Sequence, residues 1–339
     1  MKDARPQSGV FFIHYSPMNI ETLPVLDYTW HILANLNACE KRSKHNWSVV
    51  TRRFDEVGLK YELHKTEGKG KGIETAAQLC REGCRHLIVA GGDGSVNEVV
   101  HGIMTSGVEV RDVCLAVLPI GRGNDWSRTH AYPTKVEECV ELFLRGTFLW
   151  HDIGKVQTLQ AGREVASRYF INIAGFGFDA EVIYDTTYNK PHFLGISVYI
   201  LSTLRCLFGY KNPVVEVSAP DFSFKNKVFM MVAAICQYNG GGMRQAPDAV
   251  PDDARLDVVI IPKLSPLRVL KLMMYVFSGR HIEKSKGLIK VCRVEEAVIR
   301  SEELCRGEVE GEMLETGNYK ISLVPRAFRV LTNLGGRRL

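Results

Sequence analysis

Short apolar runs alternate with segments of helical spacing along the first 150 residues. Residues 72–83 and those that follow 95 carry apolar positions every three or four residues, which predicts amphipathic helices. Apolar runs predict strands at residues 10–14, 86–90 and 114–118, and the alternation of Tyr61 and Leu63 predicts another at residues 60–65. A strand, a turn and a helix that repeat in this order favour an α/β domain built on a parallel sheet.

The pattern changes beyond residue 150 to longer β-rich runs with few helices between them. The β-rich runs cover residues 214–217, 227–236, 256–261 and 290–300, and helices are predicted at 195–207 and 267–277. Such runs are typical of a mainly antiparallel β domain that is covered by one or two helices. We therefore place a boundary near residues 148–155, with one domain over 1–150 and the other over 151–325.

The composition is that of a folded protein with two domains. The chain has 339 residues, 45% of them hydrophobic, and a formal net charge of +5. At about 150 residues per domain this length predicts two domains, and the ordinary charged and aromatic fractions exclude a disordered chain. The small positive excess does not predict nucleic-acid binding, but it suits contact with an anionic membrane surface.

Neither secretion nor a membrane span is predicted. The nine cysteines are scattered without a CxxC pair, which indicates a reducing compartment, and the first residues lack the apolar core of a signal peptide. The longest apolar stretch, residues 193–208, contains Arg205 and is shorter than the ~20 residues that a spanning helix needs. We expect a cytoplasmic protein that contacts the inner face of the membrane peripherally.

Two glycine-rich turns follow the third and fourth predicted strands. In the first, Gly91, Gly92 and Gly94 let the backbone turn with its N–H groups exposed at a helix N-terminus, which attracts anions. This arrangement predicts a phosphate-binding turn, although a plain strand-to-helix turn uses glycine in the same way. Asp93 favours the first interpretation, because an acidic side chain beside phosphates serves to bind a metal, a ribose hydroxyl or a reacting hydroxyl.

The first turn is part of a longer motif. Residues 91–99, GGDGSVNEV, resemble the GGDGTxNEV signature of the diacylglycerol kinase catalytic family, and residues 118–125, LPIGRGND, resemble its PLGTGND motif. Residues 240–257 resemble GGGxxxAPxAxxDDGxLDV, and residues 309–312, VEGE, resemble VDGE. Four motifs in the family's order over most of the chain make it similar to these lipid kinases, which include bacterial diacylglycerol kinases, ceramide kinases and sphingosine kinases.

The resemblance implies a fold and a set of site residues. The implied fold is a phosphofructokinase or NAD kinase-like α/β domain with a parallel sheet, followed by a mainly antiparallel β-sandwich domain, with residues 326–339 as a candidate return to the first domain. By position Glu312 is the implied proton acceptor, and Asp93 is a second acid that faces the reaction. The implied ATP-binding residues are Thr66, Gly91, Gly92, Asp93, Gly94, Ser95, Val96, Asn97, Arg122 and Asn124. The implied Mg²⁺ ligands are Asp253 and the main-chain carbonyls of Val250 and Arg255.

The sequence departs from the family motifs at four positions. Ser95 keeps the hydroxyl of the family's threonine, whereas Arg122 puts a large cation in place of a small residue beside the nucleotide. Such a guanidinium either binds phosphate with two hydrogen bonds or points to solvent. Glu310 stands where VDGE has aspartate, and Ala254 stands where DDGxL has glycine.

The expected function is that of an ATP-dependent lipid kinase, with diacylglycerol as the leading substrate. The alternatives are a sphingoid base or ceramide kinase, an NAD kinase-like phosphotransferase, and a lipid or nucleotide sensor without turnover. Residues 170–179 resemble the family segment NxxGxGFDA, and the apolar stretch after residue 193 predicts either an acyl-chain groove or ordinary core packing. The expected partners are ATP, Mg²⁺ and a lipid at a membrane surface, without nucleic acid, and a homodimer is left open.

Overall fold

A computed structural model describes residues 20–35, 40–188, 203 and 205–334. The predicted strand at residues 10–14 and most of the predicted helix at 195–207 lie outside this part of the chain. In the described part, no helix combines the length and the apolar character that crossing a bilayer requires.

Strands and helices alternate in the first domain. Its elements are β1 (Ile20–Thr22), β2 (Thr29–Ala34), α1 (Glu40–Glu56), β3 (Lys60–Lys65), α2 (Lys71–Arg81), β4 (His86–Gly91), α3 (Asp93–Thr105), β5 (Cys114–Pro119), α4 (Asp125–Thr129) and α5 (Val136–Arg145). Strands β3, β2, β4 and β5 lie side by side in this order, all parallel. Along β4, Leu87 and Val89 pack on one face with α2 and α3, while Ile88 and Ala90 pack on the other with α1 and α5. Burial on both faces explains why the strand is a continuous apolar run.

Antiparallel strands dominate the second domain. Its elements are β6 (Thr147–Gln160), β7 (Arg163–Phe170), β8 (Ile173–Gly177), α6 (Phe178–Tyr188), β9 (Val214–Ala219), β10 (Phe222–Ala234), β11 (Leu256–Pro262), α7 (Pro266–Val276), α8 (His281–Lys284), β12 (Lys290–Val294), β13 (Glu296–Arg300), β14 (Gly307–Val309), β15 (Glu312–Met313) and β16 (Asn318–Leu331). Strand β10 joins two layers, because its first half pairs with β9 and its second half with β8 and β11. The predicted fold class, a parallel α/β domain followed by a mainly antiparallel β domain, is confirmed.

The long strands β6 and β16 pair with each other and run through both domains. Their antiparallel register extends from Asn318 opposite Leu159 to Leu331 opposite Phe148. Near its end β16 also pairs in parallel with β5, through Arg329 and Val330. The parallel sheet of the first domain therefore includes a strand from the far end of the described chain, and the predicted boundary region near residue 150 lies inside β6.

The β-rich run predicted over residues 290–300 divides into two strands. These are β12 and β13, and Glu295 separates them. Strand β12 pairs with β11, whereas β13 pairs with β9 and β16. The chain changes layers at this residue, which an uninterrupted run of β-forming residues does not reveal.

Candidate active site

The two glycine-rich turns touch at the carboxyl edge of the parallel sheet. Gly92 follows β4 in an extended conformation and is the N-cap of α3, while Gly121 follows β5. A Cβ atom on Gly121 would lie 2.4 Å from the Cα of Gly92, so neither a larger side chain nor a wider turn fits there. Parallel strands end at the same edge of a sheet, which is why motifs about 30 residues apart meet.

Asn124 and Asp93 hold the second turn in place. The side-chain amide of Asn124, a residue at a φ of 52°, donates to the carbonyl oxygens of Pro119 and Gly121 at 3.3 and 3.1 Å. Asparagine tolerates this left-handed conformation better than most residues. The carboxylate of Asp93 accepts the N–H of Trp126 at the start of α4, at 3.1 Å. Asp93, in the first glycine-rich turn, therefore holds in place α4, the helix that follows the second turn.

Glu98 caps the helix next to the first turn. Its two carboxylate oxygens accept the main-chain N–H groups of Gly70 and Gly72 at 2.8 and 2.9 Å, at the N-terminus of α2. A carboxylate in this position satisfies N–H groups that lack a partner in the helix and interacts favourably with the helix dipole. This contact gives the glutamate of the NEV motif a structural role beside the first glycine-rich turn.

The VEGE motif forms a two-residue hairpin between β14 and β15. Val309 pairs with Glu312, and the residues between them, Glu310 and Gly311, have φ angles of 53° and 84°. Positive φ at both central positions is the geometry of a type I′ turn, which most often carries Asn-Gly or Asp-Gly. The turn places the two glutamates in different surroundings.

Glu310 is partly buried, and backbone N–H groups bind its carboxyl group. Its carboxyl group accepts the N–H groups of Ile171 and Asn172 at 3.1 and 2.7 Å. Burial, together with the nearby charge of Asp93, raises the pKa of Glu310 to about 8, although the N–H donors oppose this shift. At neutral pH the group is therefore mostly protonated.

Glu312 lies at the mouth of the site. Its side chain is 39% exposed, and one oxygen lies 2.5 Å from the ammonium nitrogen of Lys69. Lys69 belongs to the loop before α2 in the first domain, so this ion pair spans the gap between the two domains. An accessible carboxylate next to a cation can take up a proton from a bound hydroxyl group.

A polar cleft of about 310 Å³ lies between these parts. The residues that line it are Asn35, Gly92, Gly94, Ser95, Asn97, Glu98, Gly121, Arg122, Arg168, Glu310 and Glu312. Two guanidinium groups, those of Arg122 and Arg168, thus face the same space as the glycine-rich turns. Backbone donors, a helix N-terminus and two arginines form a strongly anion-attracting surface.

The other residues predicted to bind the nucleotide lie behind the lining of the polar cleft. Thr66 is buried just after β3, and its N–H donates to the carbonyl of Ala34, next to the lining residue Asn35. Gly91 accepts the N–H of Ile120, and the side chain of Val96 packs in the core rather than toward the cleft. Arg168 and Asn35 were missed by sequence reasoning, because each reaches the cleft from a strand without a recognisable motif.

The predicted metal loop lies apart from the polar cleft, before β11. The carboxylate of Asp253 accepts the N–H of Arg255 at 3.0 Å and lies 3.6 Å from the guanidinium of Arg293. The same guanidinium donates to Asp257 at 3.1 Å. Ala254 has a φ of 58°, which explains why the related motif carries glycine there. An arginine therefore already supplies positive charge to this loop.

A second cavity, which we call the apolar pocket, opens between the β10–β11 sheet and the helices α6 and α7. Its lining residues are Phe178, Asp179, Val182, Thr203, Phe229, Met230, Val232, Met243, Gln245, Val259, Ile261, Leu264, Val269, Leu272, Met273, Val276 and His281. Asp179 is the carboxylic acid among them, and burial raises its pKa to about 6. Such a lining suits a hydrocarbon chain.

Two structural links connect the apolar pocket to the polar cleft. Strand β8 runs from Asn172, which binds Glu310, to Phe178 and Asp179 in the pocket. The glycine loop before Met243 also contacts the first domain, because the N–H of Gly241 donates to Asp125 at 2.6 Å. The two cavities are therefore neighbours along one strand and one loop.

Comparison with known proteins agrees with this arrangement. Residues 29–156 match the model of the diacylglycerol kinase catalytic domain, and residues 172–332 match that of the YegS C-terminal NAD kinase beta sandwich-like domain. The chain is 27% identical over 255 residues to the diacylglycerol kinase of Staphylococcus carnosus TM300, which covers 75% of this chain and 79% of that protein. It is 26% identical over 275 residues to a YegS-like lipid kinase of Chromohalobacter salexigens, covering 81% and 85%. A crystal structure of a diacylglycerol kinase from Bacillus anthracis strain Sterne shares the fold, with a TM-score of 0.68 at 18% identity over 91% of this chain and 97% of that one.

The fold and the cleft define a two-domain phosphotransferase with its site between an α/β domain and a β domain. The chain belongs to the family of lipid kinases with a diacylglycerol kinase catalytic domain. It is a lipid kinase, as the resemblance of its four motifs predicts.

Proposed function

We propose that this lipid kinase transfers the γ-phosphoryl group of ATP to the hydroxyl group of diacylglycerol at a membrane surface, giving phosphatidic acid. The position of β8 carries the proposal. One end of this strand binds Glu310 in the polar cleft, and the other leads into the apolar pocket. Its five residues span roughly 16 Å. A lipid whose chain is buried in the apolar pocket would cross this distance to bring its hydroxyl group to the nucleotide.

The phosphates of ATP would lie on the first glycine-rich turn. The N–H groups after Gly92 and the N-terminus of α3 point to the cleft, and Arg122 and Arg168 face it from two further elements. Phosphoryl transfer depends mainly on positioning and on charge neutralisation. These residues supply both without a covalent intermediate.

Glu312 is the proposed general base. The lipid oxygen forms a bond to the γ-phosphorus, the bond from that phosphorus to the bridging oxygen of ADP breaks, and the hydroxyl proton passes to the Glu312 carboxylate. Glu310 is unsuited to this role at neutral pH, because a group with a pKa of about 8 already carries its proton. It can instead donate a hydrogen bond.

A magnesium ion fits the polar cleft better than the loop before β11. The cleft residues Asn97 and Glu312 offer amide and carboxylate oxygens, the hard donors that Mg²⁺ prefers, and when bound the ion neutralises phosphate charge. The loop fits a divalent ion poorly, since the guanidinium of Arg293 already pairs with Asp253. The proposed reaction has no step in that loop.

Helix α7 supports peripheral contact with a membrane. Val269 and Leu272 face the apolar pocket, while Leu267, Met274 and Phe277 are 78%, 78% and 62% exposed. Exposed apolar residues on a helix that covers a lipid-binding pocket suit insertion into the headgroup region. Replacing these three residues by serine should reduce sedimentation with anionic vesicles, while phosphorylation of a detergent-dispersed lipid stays unchanged. Equal sedimentation of the variant would contradict this role of α7.

The substrate is tested by incubating the protein with γ-labelled ATP and, separately, diacylglycerol, sphinganine, ceramide or NAD. We expect labelled phosphatidic acid as the main product. A labelled sphingoid or ceramide phosphate would show that the protein is a lipid kinase whose substrate is not diacylglycerol. Labelled NADP with no labelled lipid would contradict the proposal, and labelled product from none of the four would favour a sensor without turnover.

A further inference from the structure

We propose that His130, His151 and Cys236 form a buried binding site for a zinc ion. One ring nitrogen of each histidine and the Cys236 sulfur all lie within 4.8 Å of one another, and the three residues are completely or almost completely buried. Two imidazoles and a thiolate are a donor set that Zn²⁺ prefers, with a fourth position left for water. The site is independent of the polar cleft and of the proposed lipid substrate.

The histidines are oriented as metal ligands by their outer partners. His151 Nδ1 lies 2.5 Å from the Asp152 carbonyl, so this nitrogen carries the proton and Nε2 carries the free lone pair, 3.7 Å from the sulfur. His130 Nδ1 lies 3.2 Å from the hydroxyl oxygen of Thr332, which accepts the N–H of Leu334. A histidine that donates its second N–H to an oxygen is the usual arrangement at zinc sites.

One nitrogen of this cluster has no partner in the protein. Nε2 of His130 is buried and makes no hydrogen bond with any described residue. Buried polar atoms are nearly always hydrogen-bonded, and one that is not calls for a ligand. Nε2 of His151 has only long contacts, with the Trp126 indole N–H at 3.4 Å and the sulfur of Cys236. An ion bound to this nitrogen would replace only these weak contacts.

Zinc binding displaces the proton of the Cys236 thiol. The thiol donates to the carbonyl oxygen of Ile171 at 3.4 Å, and in the proposed complex the zinc ion takes the place of its proton. The S–H bond breaks, a Zn–S bond forms, and one proton passes to the solvent.

The ligands come from three parts of the chain. His130 follows α4, His151 lies on β6, and Cys236 follows β10. Helix α4 also carries the Trp126 N–H that binds Asp93. A bound ion would therefore tie the helix behind the second glycine-rich turn to the second domain.

The test uses the full chain without a histidine tag, refolded from denaturant with either a chelator or Zn²⁺. We expect one zinc per chain after gel filtration. Cys236→Ser, which keeps the volume of the side chain, should weaken zinc binding at least about 100-fold. Cys305→Ala, a change at another buried cysteine, should leave binding unchanged.

Cobalt provides a readout that does not depend on a variant. Refolding the unaltered chain with Co²⁺ should produce a sulfur-to-cobalt charge-transfer absorption in the near ultraviolet and release one proton per ion. Either a chain that retains no zinc, or cobalt bound without the sulfur absorption, would overturn the site. Equal loss of zinc in the Cys236 and Cys305 variants would overturn it as well.

Discussion

The polar cleft and the apolar pocket are built by different kinds of structure. Backbone groups of two tight turns form the cleft, where Gly92 and Gly121 come so close that side chains are excluded. Interchangeable aliphatic and aromatic side chains from two strands and two helices form the pocket. A site made of backbone demands particular residues, whereas a site made of apolar side chains demands only volume and shape.

This difference explains why motifs mark one cavity and not the other. Glycines at fixed spacing are visible in the sequence, but the pocket residues are scattered between Phe178 and His281 without a pattern. We expect changes in the cleft to abolish turnover and changes in the pocket to alter which lipid is used. Four measurements test this contrast.

Glu312→Gln should have the largest effect. Loss of the proton acceptor should lower kcat by about 10²–10⁴, while the dissociation constant for ATP stays near that of the unaltered protein, since the glycine-rich turns remain. Steady-state kinetics and nucleotide titration measure the two quantities. Glu315→Gln changes an exposed glutamate three residues away and serves as the control. Unchanged turnover in the Glu312 variant would assign the base to Asp93 or Glu310.

Gly121→Ala should weaken nucleotide binding. The new methyl group would overlap with Gly92, and relief of such overlap costs about 1–3 kcal/mol, or roughly 5- to 150-fold in Kd. Gly209→Ala is the matched control, because nothing lies within 4 Å of a Cβ atom there. If both variants bind ATP alike, the contact between the two turns does not shape the site.

Val232→Phe should change lipid selection by about tenfold. Val232 is buried in the apolar pocket, opposite Gly175 of β8, so a phenyl ring would occupy space for a chain. The KM for long-chain diacylglycerol should rise, while the KM for a short-chain analogue and the Kd for ATP should not. Val165→Phe, at a half-exposed position on β7, controls for added bulk. A rise for both chain lengths would indicate a damaged fold rather than a filled pocket.

Glu310→Gln should remove a pH dependence of stability at the cleft. Because the folded pKa of about 8 lies above the usual value, the folded chain holds a proton that the unfolded chain releases. The stability that this proton gives to the folded chain is fully present below pH ~4.5. It is lost as the pH rises to ~8, at roughly 1 kcal/mol per pH unit. Chemical denaturation at pH 6.5 and 7.5 compares the slopes of the two proteins. Equal slopes would show that Glu310 is ionised at neutral pH.

Local sequence patterns predicted the strands and helices of the first domain. They did not predict the long-range contacts that complete its site. Residues 60–65 and 114–118 are strands as predicted, because alternating and continuous apolar positions are local patterns. The ion pair of Lys69 with Glu312 joins residues 243 positions apart, and no local pattern encodes it. The motifs supplied the two turns and the hairpin, whereas Arg168 and the cation beside Asp253 emerged only from the packing of distant strands.

Strand β16 also sets the order in which the chain can be completed during synthesis. Its partners β5 and β6 are made early, but Arg329 and Val330 are translated only after the rest of the second domain. Domains generally fold as units while the chain emerges from the ribosome, and contacts between distant residues form slowly. The nascent first domain therefore presents an unpaired strand edge until the β-sandwich has been translated, which makes it the stage at which a chaperone is most needed.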